Sequence, residues 1–368
     1  MNAYALYRLP YANQYAKVEQ VQGSPSRLLS VNQLNGKKGF VFAPFSPSID
    51  EPIYLMEGPT LLLPCPHADG PTTLAPMSEQ PTSPDGYYQL DFANFFAQVQ
   101  VGTFRKLVLS RCIERPVTEG LDAEQLFFKA CAIYPRMFIA LVHISDEQTW
   151  LMATPEILLE GGGNNEWRTI SLAGTMDMRA AKCAPWSDMA TTEDANHEPT
   201  LGEVGWSDKN IREQRLVSTY IVECLERFAS KIHEEGPHTV RAGHLLHLRS
   251  DFTFSIADPT RLGSLLAALH PTPAVCGLPK REAFDFITKN ESSPRHYYSG
   301  FCGPLCDGVE VEGANTHLFV SLRCMQLEKD RQRLYAGGGI LPESQLQLEW
   351  NETETKLDTM RRLLDVER

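Results

Sequence analysis

The chain has 368 residues, 42% of them hydrophobic, and a formal net charge of -12. That length allows one large domain or two of ordinary size, and the apolar fraction suits a soluble globular protein with a substantial core. So acidic a chain is repelled by phosphate backbones and anionic lipid, which argues against nucleic acid and membrane surfaces as partners. A site for an anionic ligand would have to be locally positive.

The opening MNAYALYRLPYANQYAK has no charged n-region followed by an apolar h-region, and no stretch reaches the ~18 apolar residues of a membrane span. The nine cysteines are scattered and show no paired metal-ligand spacing. They read as reduced thiols and small core residues, and the expected location is the cytoplasm.

Residues 1–90 are rich in Pro, Ser and Gln, with strand-like runs at GFVFAPF and PIYLMEG. PMSEQPTSPDG (76–86) reads as an exposed loop. FANFFAQVQ then has helical apolar spacing, and KLVLSRCI (106–113) is a short strand with β-branched residues. RMFIALVHI and TWLMATPEILLE form an expected strand pair across the turn at SDEQ. GGGNNEW is a loop tip, and 181–205 is polar and irregular.

An amphipathic helix begins at Ser207, a plausible N-cap, with Val217, Tyr220, Ile221, Cys224, Leu225 and Phe228 as its apolar stripe. RLGSLLAALH is a short helix ending at Pro271. Strands are expected at YYSGFCGP, HLFVSLRCM and RLYAGGGI. The last helix carries Leu346, Trp350, Leu357, Met360 and Leu364 on its core face, with a capping box of Ser344 and Gln347 at its start. Strands and helices mix without regular βαβ alternation, so the fold class is α+β.

Several residue types here can carry chemistry. Glu349, Glu352 and Lys356 share one face of the last helix. They make either a solvated face with a Glu–Lys pair or half of a cation site. Glu213 lies in line with the buried stripe of its helix, where it either complements the helix dipole or joins the other carboxylates around a hard divalent cation. AGGGI is no nucleotide loop, but its backbone N–H groups can hold a carboxylate. Arg323 ends an apolar strand and needs a carboxylate, either from the protein or from a ligand. Lys106 opens a strand, where lysine is normally exposed, and Glu156 follows a proline. SLAGT and LHPTPAVCGLP are small-residue segments suited to close backbone approach.

Taken together and in order, KLVLSR, ATPEILL, SLAGT, DKNIREQRLV, LHPTPAVCGLP, ESSPRHYYSGFCG, VSLR, AGGGILPES and EWNETETK resemble the chorismate-utilising enzymes, over roughly residues 95–365. That family includes isochorismate, salicylate, anthranilate and aminodeoxychorismate synthases. The resemblance implies a single large domain with a β-sandwich-like core surrounded by helices. Residues 1–90 would be its variable N-terminal part and 91–368 its chorismate-binding catalytic region. It implies Mg2+ held by Glu213 and Glu352 with Glu349 close by. It implies that Arg323, Tyr298 and the Gly338–Gly339 backbone bind a substrate carboxylate. Gly174 and Thr175 would line the pocket, and Lys356 would lie near the metal and the ring carboxylate.

Within the family, water-adding enzymes resemble this chain in having a lysine at the position of Lys106. Water is a poor nucleophile and needs a base. Glu156 would act as general acid on the departing C4 hydroxyl, giving isochorismate for menaquinone or siderophore synthesis. Salicylate synthases tend to carry Thr where this chain has Ala274, which favours the plain isochorismate synthases. A salicylate synthase and a non-catalytic chorismate-binding relative are the alternatives. The substrate would be chorismate, with no glutaminase subunit, in a monomer or homodimer. Three departures stand out: Gln214 replaces the usual His after the ligand Glu, Asn210 replaces a frequent acid, and AGGGI replaces the commoner AGAGI.

Overall fold

The structure, a computed structural model, describes residues 3–66, 83–117, 122–177, 204–242, 245–306 and 314–364. The first strands are β1 (Tyr4–Arg8), β2 (Gln14–Glu19), β3 (Ser26–Leu28), β4 (Gly39–Ala43), β5 (Ile53–Met56) and β6 (Thr60–Pro64). Helix α1 (Gly86–Gln100), β7 (Lys106–Pro116) and α2 (Ala123–Ile133) follow, then β8 (Phe138–Ser145), β9 (Gln148–Thr154), β10 (Ile157–Gly162) and β11 (Trp167–Asp177). Next come α3 (Asp208–Leu225), β12 (Ala229–Ala242), β13 (Leu245–Ile256), α4 (Leu262–Leu269), β14 (Gly277–Leu278) and α5 (Lys280–Asn290). The chain ends with β15 (Phe301–Leu305), β16 (Ala314–Val320), β17 (Cys324–Leu327), β18 (Arg331–Ile340) and α6 (Leu346–Leu364). The loops expected at 76–86 and 181–205 fall mostly outside the described residues.

Two antiparallel sheets of nine strands form the core of one α+β domain. The first runs β14-β7-β18-β17-β9-β8-β1-β2-β6 and the second β12-β13-β11-β10-β16-β15-β4-β5-β3. Aromatic side chains fill the space between the layers. Phe138 of β8 stacks on Phe319 of β16 with ring centroids 4.2 Å apart, and Phe42 of β4 stacks on Tyr297 at 4.1 Å. Such pairs add to the stabilisation that area burial alone provides. No helix among the described residues is long and apolar enough to cross a membrane.

Two apolar runs that read as single strands are each divided between the sheets. TWLMATPEILLE contains β9, in the first sheet, and β10, in the second. HLFVSLRCM contains the end of β16, in the second sheet, and the start of β17, in the first. Proline cannot continue a ladder, so Pro155 ends one sheet's pairing and the next residue begins a crossover. The other crossover turns at Arg323, whose φ of 44° lies in the left-handed region. The crossovers lie side by side. Val320 N–H donates to the Glu156 carbonyl at 2.9 Å, and Ala153 N–H donates to the Arg323 carbonyl at 3.1 Å. Glu156 and Arg323 therefore share one seam between the sheets.

Helix α3 starts as expected, with the Ser207 side chain accepting from Asn210 N–H at 3.3 Å. Val217, Ile221, Cys224 and Leu225 are buried along it. Trp350, Leu357, Met360 and Leu364 are buried on α6. Its start lies one residue beyond the expected Ser344 cap. Glu349 N–H bonds the carbonyl of Gln345, so the helix begins one residue later. Ser344 instead closes the preceding turn, its N–H donating to Leu341 O and its Oγ accepting from Leu341 N–H, both at 3.0 Å. A side chain this close to its own turn satisfies the local amide first.

Strands β12 and β13, the longest hairpin, and helices α2 and α5 are not among the expected elements. β12 is mostly polar and exposed, so its alternation is masked by charge.

Candidate active site

A cavity opens at the seam. Its wall includes Glu156, Gly174, Thr175, Glu213, Ala274, Tyr298, Arg323, Gly338, Gly339, Glu352 and Lys356. Lys106 and Glu349 lie just behind the wall, both buried.

Lys106 departs from the ordinary behaviour of a strand-opening lysine. It is 0% exposed, because β14 covers it on one side and β18 runs beyond it on the other. Its Nζ lies 2.8 Å from Glu213 Oε1. The approach is an ion pair, and among the described residues Nζ has no aligned hydrogen-bond acceptor. Burial pushes the Glu213 carboxyl up, but the charges of Lys106 and Lys209 outweigh it and the net direction is down.

Glu156 is 3% exposed. Burial pushes its carboxyl up to about 7, against the opposing charge of Lys106 and a 3.5 Å contact from Thr272 Oγ1. At neutral pH a substantial fraction is protonated and able to donate.

Arg323 has no ion pair with a carboxylate among the described residues. Its Nη1 donates to Ala242 O at 3.2 Å and its Nη2 to His247 Nε2 at 2.5 Å. A guanidinium offers only hydrogens, so His247 Nε2 is the lone-pair nitrogen and Nδ1 carries the proton. That proton faces the Gly174 carbonyl at 3.1 Å. Gly174 has a φ of 69° at a β-bulge in β11, where a Cβ would come within 3.1 Å of Asn210. Burial pushes the Arg323 guanidinium down to about 10, still charged at neutral pH.

The glycine run is needed for close approach, not for unusual dihedrals. A Cβ on Gly339 would sit 2.3 Å from Glu213 Oε1, and one on Gly337 would sit 2.9 Å from Tyr298 Oη. A Cβ on Gly338 would sit 3.4 Å from Glu349 Oε2 and 3.6 Å from Glu352 Oε1. Carboxylates from α3 and α6 thus converge on bare backbone. β17 pairs with β18 only over Gln332–Tyr335, so beyond Tyr335 that edge of β18 is open. Lys356 Nζ takes the Gly337 carbonyl there at 2.8 Å. By the alternation of an antiparallel ladder, the amides of Gly337 and Gly339 turn to this open side.

Each of the three carboxylates holds a lysine. Beyond Lys106–Glu213, Lys209 Nζ is 2.5 Å from Glu349 Oε1 and Lys356 Nζ is 2.7 Å from Glu352 Oε1. Among the described residues no group of three or more His, Cys, Asp or Glu is already gathered to hold a metal. The donor set nevertheless fits a hard divalent cation. All the donors are carboxylate oxygens, and Glu349 Oε2 is buried without a hydrogen-bond partner among the described residues. Burial and the adjacent Glu352 charge push Glu349 up to about 7.

Gln214, the first of the three departures, is directed away from the cluster by its hydrogen bonds. Its amide donates to Ser171 Oγ at 2.6 Å and accepts from Ala173 N–H at 3.0 Å, tying α3 to β11. Two other cations are braces. Arg295 binds the carbonyls of Val275 and Val108 at 2.6 and 2.8 Å and pairs with Glu291. Lys280 donates to the carbonyls of Ala268 and His270, both at 2.7 Å, and so holds the end of α4 and the loop carrying Ala274. Sequence reasoning missed His247, Lys209 and Thr272. Lys209 stands four residues before Glu213, a helical spacing that could have revealed it. His247 had no local signal.

The chain matches the model of the chorismate binding enzyme family over residues 66–365. Isochorismate synthase EntC of Escherichia coli (strain K12) is 32% identical over 256 residues, which cover 69% of this chain and 61% of that protein. Isochorismate synthase DhbC of Bacillus subtilis (strain 168) is 27% identical over 281 residues, covering 74% of this chain and 66% of that protein. The chain therefore spans less than two thirds of the length of these two relatives. The solved structure of MenF, the menaquinone-specific isochorismate synthase from Escherichia coli, superposes with a TM-score of 0.75 at 22% identity, covering 99% of this chain and 89% of that one. With a family match over most of its length and a shared fold, the chain belongs to the chorismate-binding enzymes.

Proposed function

We propose that the chain is an isochorismate synthase, which adds water at C2 of chorismate as the C4 hydroxyl leaves. The observation that carries this reading is the placement of two buried groups at one cavity. Glu156 is a carboxyl held near neutrality, and Lys106 is a lysine enclosed beside Glu213.

In the proposed reaction the ammonium of Lys106 first yields its proton to solvent, and the amine then takes the water proton as oxygen bonds to C2. The ring double bonds shift, and the C4 hydroxyl departs as water after taking the proton of Glu156. One water enters and one leaves, so the product is an isomer. Glu213, 2.8 Å from Nζ, stabilises the ammonium that results. A proton then returns from Lys106 to Glu156 through solvent between turnovers. Arg323, held by His247, and the open amides of the glycine run receive carboxylate groups of the substrate, and the stacked Tyr298 and Tyr335, 5.7 Å apart, form an apolar wall. Magnesium would be held by Glu213 and Glu352 with Glu349 beside them, and when bound it would neutralise carboxylate charge on the substrate.

Ala274 on the cavity wall favours release of isochorismate over further elimination of pyruvate. The reading includes a cytoplasmic enzyme that works without a glutaminase subunit, as a monomer or homodimer, and supplies menaquinone or siderophore synthesis. It is tested with purified protein, chorismate and Mg2+, the product being identified by chromatography and pyruvate followed with lactate dehydrogenase. Isochorismate without stoichiometric pyruvate is expected. Matching pyruvate makes it a salicylate synthase, and binding without turnover makes it a non-catalytic relative.

A further inference from the structure

The loop from the end of α4 to the start of α5, residues 270–279, touches both groups of the proposed proton transfer. Near one end Thr272 Oγ1 donates to Glu156 Oε1 at 3.5 Å. Near the other, β14 pairs Gly277 with Leu107 and Leu278 with Lys106. Among the described residues Thr272 is the sole hydrogen-bond partner of the Glu156 carboxyl.

The loop is built to hold Thr272 in one place. Pro271 and Pro273 flank it, each with a fixed φ, and a residue before proline is kept out of the α region. The Thr272 carbonyl accepts from the N–H groups of Val275 and Cys276, both at 3.0 Å, which closes the turn. Lys280 Nζ gathers the carbonyls of Ala267, Ala268 and His270 at 3.1, 2.7 and 2.7 Å. All three donors of the ammonium are thereby used to end α4 and start the loop. Arg295 Nη1 takes the Val275 carbonyl at 2.6 Å on the far side of the turn. Thr272 itself is buried.

The direction of the Thr272 hydrogen bond decides which oxygen of Glu156 holds the proton. A hydroxyl has one hydrogen. With that hydrogen on Oε1, Oε1 is an acceptor in either state of the carboxyl, and the acid proton belongs on Oε2. Lys106 on β7, Lys356 on α6 and Arg323 at the β16–β17 crossover also act on Glu156 and favour its charged form. Their charges act on the carboxyl as a whole, whereas a hydrogen bond to one atom tells its two oxygens apart.

We propose that Thr272 is a positioning residue for Glu156, fixing the acid proton on Oε2, and that Lys280 keeps Thr272 in place. The delivery of that proton to the C4 hydroxyl rests on the proposed function. The hold of Thr272 on the carboxyl does not.

Infrared difference spectra against Glu156→Gln, recorded without chorismate or Mg2+, follow the protonated carboxyl of Glu156 as pH is varied. Steady-state kinetics at neutral pH follow turnover, and circular dichroism checks folding. Thr272→Val removes the hydroxyl and little volume, and Thr272→Ala is a second variant with the same expectations. The Glu156 midpoint should rise from about 7. The rise should be at least about 0.5 in pH, or about threefold in proton affinity, because a donor to the charged form is lost. The kcat should fall at least about tenfold, a part of the about 10²–10⁴ that a placed acid supplies, with KM changed by less than about threefold. Thr272→Ser should keep both values near wild type. The charges that act most on Glu156 do not include Lys280, so Lys280→Met should move both values through the loop, in the direction of Thr272→Val, and Lys280→Arg should recover part of the loss. An unchanged midpoint or an unchanged kcat in folded Thr272→Val or Thr272→Ala would overturn the positioning role. So would a Thr272→Ser protein no better than Thr272→Val. A Lys280→Met protein that behaves as wild type would overturn the hold of Lys280. If the wild type binds chorismate without turnover while the midpoint still rises in Thr272→Val, the proposed function is overturned and the hold of Thr272 on Glu156 stands.

Discussion

Arg323 and His247 meet across the cavity floor at 2.5 Å, the guanidinium donating and the imidazole Nε2 accepting. The histidine proton is spent on the Gly174 carbonyl, so the ring is locked between a left-handed glycine and the arginine. The consequence is that Arg323 is aimed without a carboxylate partner among the described residues.

His247→Phe should therefore raise the KM for chorismate more than it lowers kcat. A buried donor left without its acceptor costs about 1–3 kcal/mol, which corresponds to about a fivefold to 150-fold effect. His247→Asn, which restores an acceptor, should recover part of the loss. Steady-state kinetics of the two variants decide it, and equal KM values for wild type and His247→Phe would remove the positioning role.

Lys106 and Glu213 form a pair that the protein encloses almost completely, with side-chain exposures of 0% and 10%. Breaking one side of such a pair costs about 3–5 kcal/mol, because the remaining charge stays buried. Glu213→Gln and Lys106→Met should each destabilise strongly, and the double variant should lose much less than their sum. Urea unfolding of the four proteins measures the coupling, and strict additivity would contradict it. Folded Lys106→Ala protein should have a kcat at least about 100-fold lower.

The Glu156 carboxyl, raised by burial to about 7 from an ordinary 4.5, is protonated and active below that value. Protonation of Glu156 should give kcat a limb that falls as pH rises through about 7. Glu156→Gln should lower kcat at least about 100-fold and lose this limb. The same shift has a stability sign. A raised carboxyl favours the fold fully below its unfolded value of 4.5, and that contribution is lost as pH rises through about 7. The melting temperature of Glu156→Gln relative to wild type should thus climb between about pH 5 and pH 8, other carboxylates cancelling in the difference. A pH-independent difference would refute the shift.

Magnesium binding to the native cluster should raise the melting temperature by mass action, about 2.7 kcal/mol at a hundredfold excess over Kd. Glu352→Gln removes one charge and little volume, so the variant should fold but lose the Mg2+-dependent rise. Activity should vanish with a chelator and return with Mg2+. An equal thermal shift in wild type and Glu352→Gln would show that the ion sits elsewhere.

Local chemistry was enough to place much of this. The Ser207 cap, the α3 stripe, the apolar face of α6 and the ordered short motifs are set by residues within a few positions of each other, where periodicity and capping act. The motifs together pointed to the family and to an α+β core. Only the tertiary structure decided which sheet each half of TWLMATPEILLE and HLFVSLRCM joins, because strand pairing is a long-range choice that an apolar run leaves open. That choice is what puts Glu156 and Arg323 at adjacent crossovers. It likewise decided that Lys106 is buried and not exposed, since its cover comes from β14, and that three lysines cap three carboxylates. His247 lies in a hairpin whose charged partner strand hides its alternation, and its role arises only from the arginine that folding brings to its ring.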